Sequence, residues 1–367
     1  MPSQIQIVKH EELKEIIKRV WRTHKYPIMI WGKVGIGKTF TVEQATKELA
    51  LETNREWTDV SENWNKEPTR YFGYLNFRVS QVEPPDIRGL PYKTDNGMEW
   101  IPPSCYPKHK SSMGIMFFDE VNRGCKEVLS PLFQLKDSRR IGDYILPDGW
   151  SIVLAGNKRE HGADVIELDF PDRNRMLQYE LEATVEDWII WASAYNLDNR
   201  IISYIAWKRD PKVLFGDSER EVSPTCRMWH WVSNLIKGVE DMDYIRLIVA
   251  GGVGSDYAND FMAYLQYFHK LKPLELLFKD WKSYPIYQEA TLKYAIPLQL
   301  LAYWREHDYK PKMLETIFRY LAQYEDEILV FAWKIFKATN REVVLKAFNK
   351  NKYLYDEVWY KRLRKYW

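Results

Sequence analysis

Gly32-Lys33-Val34-Gly35-Ile36-Gly37-Lys38-Thr39 fits the pattern G-x-x-x-x-G-K-[ST] at every required position. Ahead of it, Pro27-Ile28-Met29-Ile30-Trp31 is an apolar run bounded by a proline and a glycine, which reads as a buried strand. Behind it, Thr39 to Leu51 has helical spacing, with Val42, Ala45, Leu49 and Ala50 on one side. Strand, glycine-rich loop and helix suit one task. The glycines let backbone N–H groups curl around phosphates at a helix N-terminus, where the helix dipole favours anions. Lys38 can then reach the β and γ phosphates, and the Thr39 hydroxyl can coordinate Mg²⁺. The stretch from Gly32 to Phe40 is the expected contact surface for the phosphates of a nucleoside triphosphate.

Chain length and composition set the limits of the reading. With 367 residues there is room for two domains and a sizeable core. A hydrophobic content of 46% and a charged content of 28% belong to a soluble globular protein. With a net charge of only +2, nothing suggests a surface built wholly for nucleic acid. Cys105, Cys125 and Cys226 show no close pairing, which argues against a disulfide framework or a zinc site. Reduced thiols, a polar N-terminus and the lack of an apolar run near about 18 residues all predict a cytoplasmic protein without a membrane span.

Outward from the loop, Glu11 to Thr23 reads as an amphipathic helix, and Glu52 to Arg70 as a surface loop. Tyr74–Ser80, Gly114–Phe118, Trp150–Ala155 and Met176–Leu181 are further strands, with a helix over Lys126–Leu135. Asp95-Asn96-Gly97 marks a hairpin within an insertion at about 83–107. Strands alternating with helices predict βαβ units and a mostly parallel five-stranded sheet. After Leu181 the pattern is all-helical, with breaks at Pro and Gly. The expected domains are 1–182 (nucleotide-binding), 183–269 (helical lid) and 270–367 (helical extension).

Binding nucleotide takes one loop; splitting it takes more groups. Asp119, at the end of an apolar strand, is placed to hold Mg²⁺ through water or through Thr39. Glu120 points the other way and can polarise an attacking water. Asn157 follows the strand ending at Gly156 and could orient that water, or could simply cap the strand end.

These residues carry a resemblance. Gly32–Thr39, Phe117–Arg123 (FFDEVNR), Gly156-Asn157 and Asn174-Arg175-Met176 recur in this order in AAA+ ATPases. Gln81–Pro91 (QVEPPDIRGLP), Leu146–Asn157 (LPDGWSIVLAGN), Asp187–Ala192 (DWIIWA) and Ser223–Ser233 (SPTCRMWHWVS) resemble the MoxR branch of that superfamily. The resemblance covers about residues 10–268. It implies a three-layer αβα P-loop sandwich, a helical lid, and Mg²⁺-dependent ATP hydrolysis in a ring, hexameric by analogy. It makes Asn157 sensor 1 and Arg175 the arginine finger that reaches a neighbour's γ-phosphate, with Arg173 and Arg123 as rivals. It makes Arg227 sensor 2, although Pro224 and Arg227 are separated by two more residues than the branch usually has; a plain first-turn charge is the alternative. The implied work is chaperone-like remodelling of a protein partner, in this branch often one with a von Willebrand factor A domain.

The insertion, with Arg88, Lys93 and Trp100, and the hairpin at 140–151, with Arg139, Arg140 and Tyr144, would touch either a substrate or the neighbouring subunit. The tail from Lys350 to Trp367 is basic with interleaved aromatics. It would grip single-stranded nucleic acid or form the amphipathic end of a helical domain. Two other functions therefore stand beside the remodelling ATPase: a nucleic-acid-stimulated motor or loader, and a nucleotide switch that binds ATP without turnover.

Overall fold

The computed structural model describes residues 5–23, 25–95, 97–158, 168–216, 221–268 and 270–366. Asn96 of the expected turn, His269 at the end of an expected helix and Trp367 of the tail lie outside them. The chain divides into two compact units, Met1–Ala183 and Thr184–Trp367.

The first unit contains β1 (Gln6–Val8), β2 (Ile28–Trp31), β3 (Glu56–Thr58), β4 (Tyr71–Arg78), β5 (Leu90–Thr94), β6 (Gly97–Ile101), β7 (Met113–Asp119), β8 (Arg140–Ile141), β9 (Tyr144–Ile145), β10 (Trp150–Gly156) and β11 (Leu177–Leu181). Seven of these form one sheet in the order β1-β11-β2-β10-β7-β4-β3, with every neighbouring pair parallel. The five expected strands are its centre. The sheet is wider than five because β1 and β3, three residues each, add an edge on either side. Three residues are too few to show a period of two. The segment read as a surface loop, 52–70, holds both β3 and helix α3 (Ser61–Lys66), pinned by the fully buried Trp64.

Period-two alternation splits the strands between two helical layers. Met29, Trp31, Met116, Phe118, Ile152 and Leu154 share a core with Val128, Leu129, Leu132 and Leu135 of helix α5 (Lys126–Ser138). Ile28, Ile30, Ile115, Phe117 and Val153 are buried from the other side, where α1 (His10–Arg22) and α2 (Lys38–Glu52) pack on the sheet. Buried lysines join these two helices: Lys14 and Lys18 both donate to Glu48, at 2.8 and 2.6 Å. The result is the three-layer α/β fold. All seven strands of the large sheet run one way, so the C-terminal ends of β2, β4, β7 and β10 meet at one edge, the place where such sheets bind ligands.

The second unit is helical. Residues on both sides of position 270 share one hydrophobic core, from Trp188 to Leu363. Its helices begin with α7 (Val185–Ala194), whose start is fixed by a reciprocal pair: Thr184 Oγ1 accepts from Asp187 N, and Asp187 Oδ2 accepts from Thr184 N. The basic tail belongs to this core. Arg362 donates to Asp326 Oδ1, Ala322 O and Tyr324 O, and Trp359 packs 5.0 Å from Trp333. Lys361 pairs with Glu357 and Lys365 with Asp326, so several of the tail's cations and rings are already used within the chain.

Candidate nucleotide site

The loop after β2 reaches α2 through Gly37, whose φ of +103° is a conformation that favours glycine. A Cβ there would also meet His10 Nε2 at 3.1 Å. That imidazole lies 2.9 Å from Ile36 O, and because a carbonyl can only accept, Nε2 carries the proton and donates. The first turn of α1 thereby braces the loop. Nothing in the sequence flagged His10, because its contact crosses 26 positions of the chain.

Lys38 is buried, with three acceptors around its ammonium: Gly32 O at 2.8 Å, Lys33 O at 2.9 Å and Asn157 Oδ1 at 2.7 Å. Thr39 Oγ1 donates to Asp119 Oδ2 at 2.6 Å, and Asp119 Oδ1 accepts from Glu120 N at 2.9 Å. So Lys38, Thr39, Asp119 and Asn157 are joined by hydrogen bonds, although they come from three different strand ends. Phe40, half-buried, begins the second residue pair of α2.

Glu120 sits at φ +55°, a backbone conformation that costs a non-glycine residue about 1–3 kcal/mol. Its carboxylate accepts from Ser80 Oγ at 2.6 Å, and Arg123 Nη1 lies 3.5 Å away. Arg123, weighed as a finger, is thus beside the water-activating candidate of its own chain. Ser80 was placed at the end of a strand by the sequence but given no role; a hydroxyl at a strand end beside an acidic rim was the available signal.

Asn157 is pinned by a residue the sequence reading passed over. Asn122 Nδ2 donates to Asn157 O at 2.6 Å, and Asn122 Oδ1 accepts from Asn157 N at 3.2 Å. Gly156 is needed for this, because a Cβ on it would stand 2.7 Å from Asn122 Oδ1. Both asparagines are buried. Asn122→Ala should leave two buried main-chain groups unpaired, each costing about 1–3 kcal/mol. A thermal denaturation curve shifted down by several degrees, together with reduced turnover, is the expected result.

The residues fit a magnesium ion. Mg²⁺ takes one or two carboxylates and fills its remaining positions with water and phosphate, and Thr39 and Asp119 supply hard oxygen donors in contact. Burial, and then the carboxylates of Glu43, Asp119 and Asp59, push the nearby Tyr74 phenol upward in pKa.

Arg175 is at the surface, its side chain 63% exposed, and Nη1 donates to Asp137 Oδ2 at 2.8 Å. That bond raises its pKa. Arg173 ends α6 (Phe170–Arg173) and is also exposed. Arg227 lies exposed in the first turn of a helix of the second unit, Cys226–Ile236.

The outer loops depart from expectation. Tyr144 is buried and donates to Pro107 O at 3.0 Å, while Arg139 donates to Pro147 O and Trp150 O, so both hold the hairpin together and Arg140 alone of that trio is exposed. In the insertion, Arg88 lies over the half-buried Trp100 ring, 3.9 Å from its centre. Lys93 is exposed as expected. The most exposed apolar groups there are Leu90, Tyr92, Met98 and Ile101, which carry no charge to draw notice in the sequence.

No protein-family model and no curated protein matches the sequence. Similar solved structures include NtrX from Brucella abortus, 12% identical over 95% of this chain and 67% of that one, with a TM-score of 0.37. A RuvB mutant from Thermotoga maritima is 16% identical over 76% of this chain and 79% of that one, TM-score 0.37. AMPPCP-bound DnaA from Aquifex aeolicus is 12% identical over 97% and 93%, TM-score 0.35. With scores this low, these likenesses lend no weight to a reading of the site. Among the described residues, no helix is long and apolar enough to cross a membrane.

Proposed function

We propose that this chain is an AAA+ ATPase of the MoxR-like branch, hydrolysing ATP at a site shared between subunits of a ring, hexameric by analogy, and using the reaction to remodel a protein partner. The observation that carries the reading is the contact of Lys38 with Asn157 Oδ1 at 2.7 Å beside the contact of Thr39 with Asp119 at 2.6 Å. Asn157 stands at the tip of β10, which lies between the loop strand β2 and the acid-bearing strand β7. Cation, hydroxyl, carboxylate and amide converge where a γ-phosphoryl group would lie over the loop.

Each residue has a task in that reaction. Lys38 and the loop N–H groups from Gly32 to Thr39 hold the phosphates, and the helix dipole of α2 adds to their attraction. Thr39 and Asp119 would hold Mg²⁺, which neutralises charge on the β and γ phosphoryl oxygens when bound. Glu120 takes up proton density from the attacking water. Asn157, with Oδ1 turned to Lys38, keeps Nδ2 as its donor for that water or a phosphoryl oxygen. Arg175 of one subunit stabilises transition-state charge in the next, and Arg227 reports nucleotide to the lid. The remodelled partner would include proteins with a von Willebrand factor A domain.

Lys38→Ala tests the core of this. Truncating one member of a buried, hydrogen-bonded charge pair costs about 2–5 kcal/mol of binding. ATP affinity measured by titration calorimetry should drop accordingly, with the fold intact by circular dichroism. Wild-type affinity in this variant would overturn the assignment.

A further inference from the structure

Asp137, in the last turn of α5, has both carboxylate oxygens engaged: Lys136 Nζ donates to Oδ1, and Arg175 Nη1 donates to Oδ2 at 2.8 Å. The two cations differ in setting. The Lys136 side chain is 0% exposed, whereas that of Arg175 is 63% exposed. One oxygen is therefore anchored to a buried, immobile cation, and the other presents a fixed acceptor to an arginine that would otherwise sample many rotamers in water. Burial alone would raise the Asp137 pKa, but the bonds from Lys136 and Arg175 outweigh it and keep the carboxylate ionised. The bond to Asp137 uses one N–H of the guanidinium, and an arginine has five, so a second acceptor could still be bound.

We infer that Asp137 is a positioning residue for Arg175, holding its guanidinium in the orientation it presents to the nucleotide of the neighbouring subunit. The inference rests on the reading of Arg175 as the arginine acting in trans. An exposed ion pair of this kind adds little to stability, so its consequence falls on turnover. A finger misplaced by about 1 Å loses up to about 100-fold in rate.

The test uses the full chain, Asp137→Asn, Arg175→Ala, their double variant and Glu120→Gln. Asp137→Asn should lower kcat by about 10- to 100-fold with KM for ATP unchanged. The double variant Arg175→Ala/Asp137→Asn should be no slower than Arg175→Ala. Mixing Asp137→Asn with Glu120→Gln subunits should recover turnover, because the latter supply an intact Asp137–Arg175 pair to the former's nucleotide. A defect inside the Asp137→Asn subunit's own fold would not be rescued in that way. If Asp137→Asn fails to fold, Lys136→Met/Asp137→Asn removes the buried cation as well and takes its place. Turnover retained by Arg175→Ala would sink the trans reading itself. Loss in Arg175→Ala with full kcat in Asp137→Asn, an additive double variant, or no recovery on mixing Asp137→Asn with Glu120→Gln where Arg175→Ala with Glu120→Gln does recover, would each sink the positioning role alone.

Discussion

ATP turnover by the Glu120→Gln protein is expected to fall about 100- to 10,000-fold, the range in which general-base catalysis contributes, with nucleotide affinity close to that of the unsubstituted chain. Glutamine has nearly the shape of glutamate, and its carbonyl oxygen can still accept from Ser80, which now donates to Glu120 at 2.6 Å. The strained backbone at φ +55° is therefore held as before. The lost property is the capacity to take a proton. The Lys38 side chain donates to Asn157 and that of Thr39 to Asp119, two of the contacts on which phosphate and metal binding rest. Binding and turnover should separate cleanly. Phosphate release measured at saturating ATP, beside a binding titration, checks this, and a variant that hydrolyses ATP at the original rate would remove Glu120 from the mechanism.

Arg175→Ala is the second large effect. Arginine fingers supplied in trans are worth about 10³–10⁵ in kcat, and turnover should fall by that order. Stability should barely change, because the side chain is mostly exposed and an exposed ion pair such as that with Asp137 adds little. ATP affinity should also persist, since no group of the same chain's phosphate loop depends on Arg175. The decisive measurement is the mixed assembly. Glu120→Gln subunits carry a competent arginine, and Arg175→Ala subunits carry a competent pocket, so the mixture should hydrolyse ATP where each alone does not. Turnover per chain should likewise fall on dilution. An inert mixture, with both variants shown to associate, would exclude a site shared between neighbours.

Much of the fold could be read from local pattern. Of the five central strands, β2, β7 and β10 hold apolar runs of four residues, while β4 and β11 alternate apolar and polar residues. The helices α1, α2 and α5 are long enough to show a face. The edge strands β1 and β3 escaped because three residues hold no period, and α3 because its anchor is one tryptophan in a polar stretch. Of the residues named from motif and spacing, Lys38 meets Asn157 and Thr39 meets Asp119. Those that hold them in place, Ser80, Asn122 and His10, did not stand out. Each acts across a long gap in sequence: Ser80 to Glu120, Asn122 to Asn157, His10 to Ile36. A polar residue with a distant partner looks the same in sequence as one facing water.

What the sequence by itself determined was the phosphate loop with its flanking strand and helix, and the order of acids, amide and arginines behind it. These are short-range features: a glycine tolerates positive φ, a lysine follows it, and an apolar strand ends in two carboxylates. The tertiary structure alone decided which strand lies beside which, and therefore that the lysine meets the asparagine and that the exposed arginine meets Asp137. Parallel strands cannot pair with their neighbours in sequence without a crossover. Contacts at the common edge of the sheet are thus set by the packing of the whole unit, and no stretch of the chain encodes them locally.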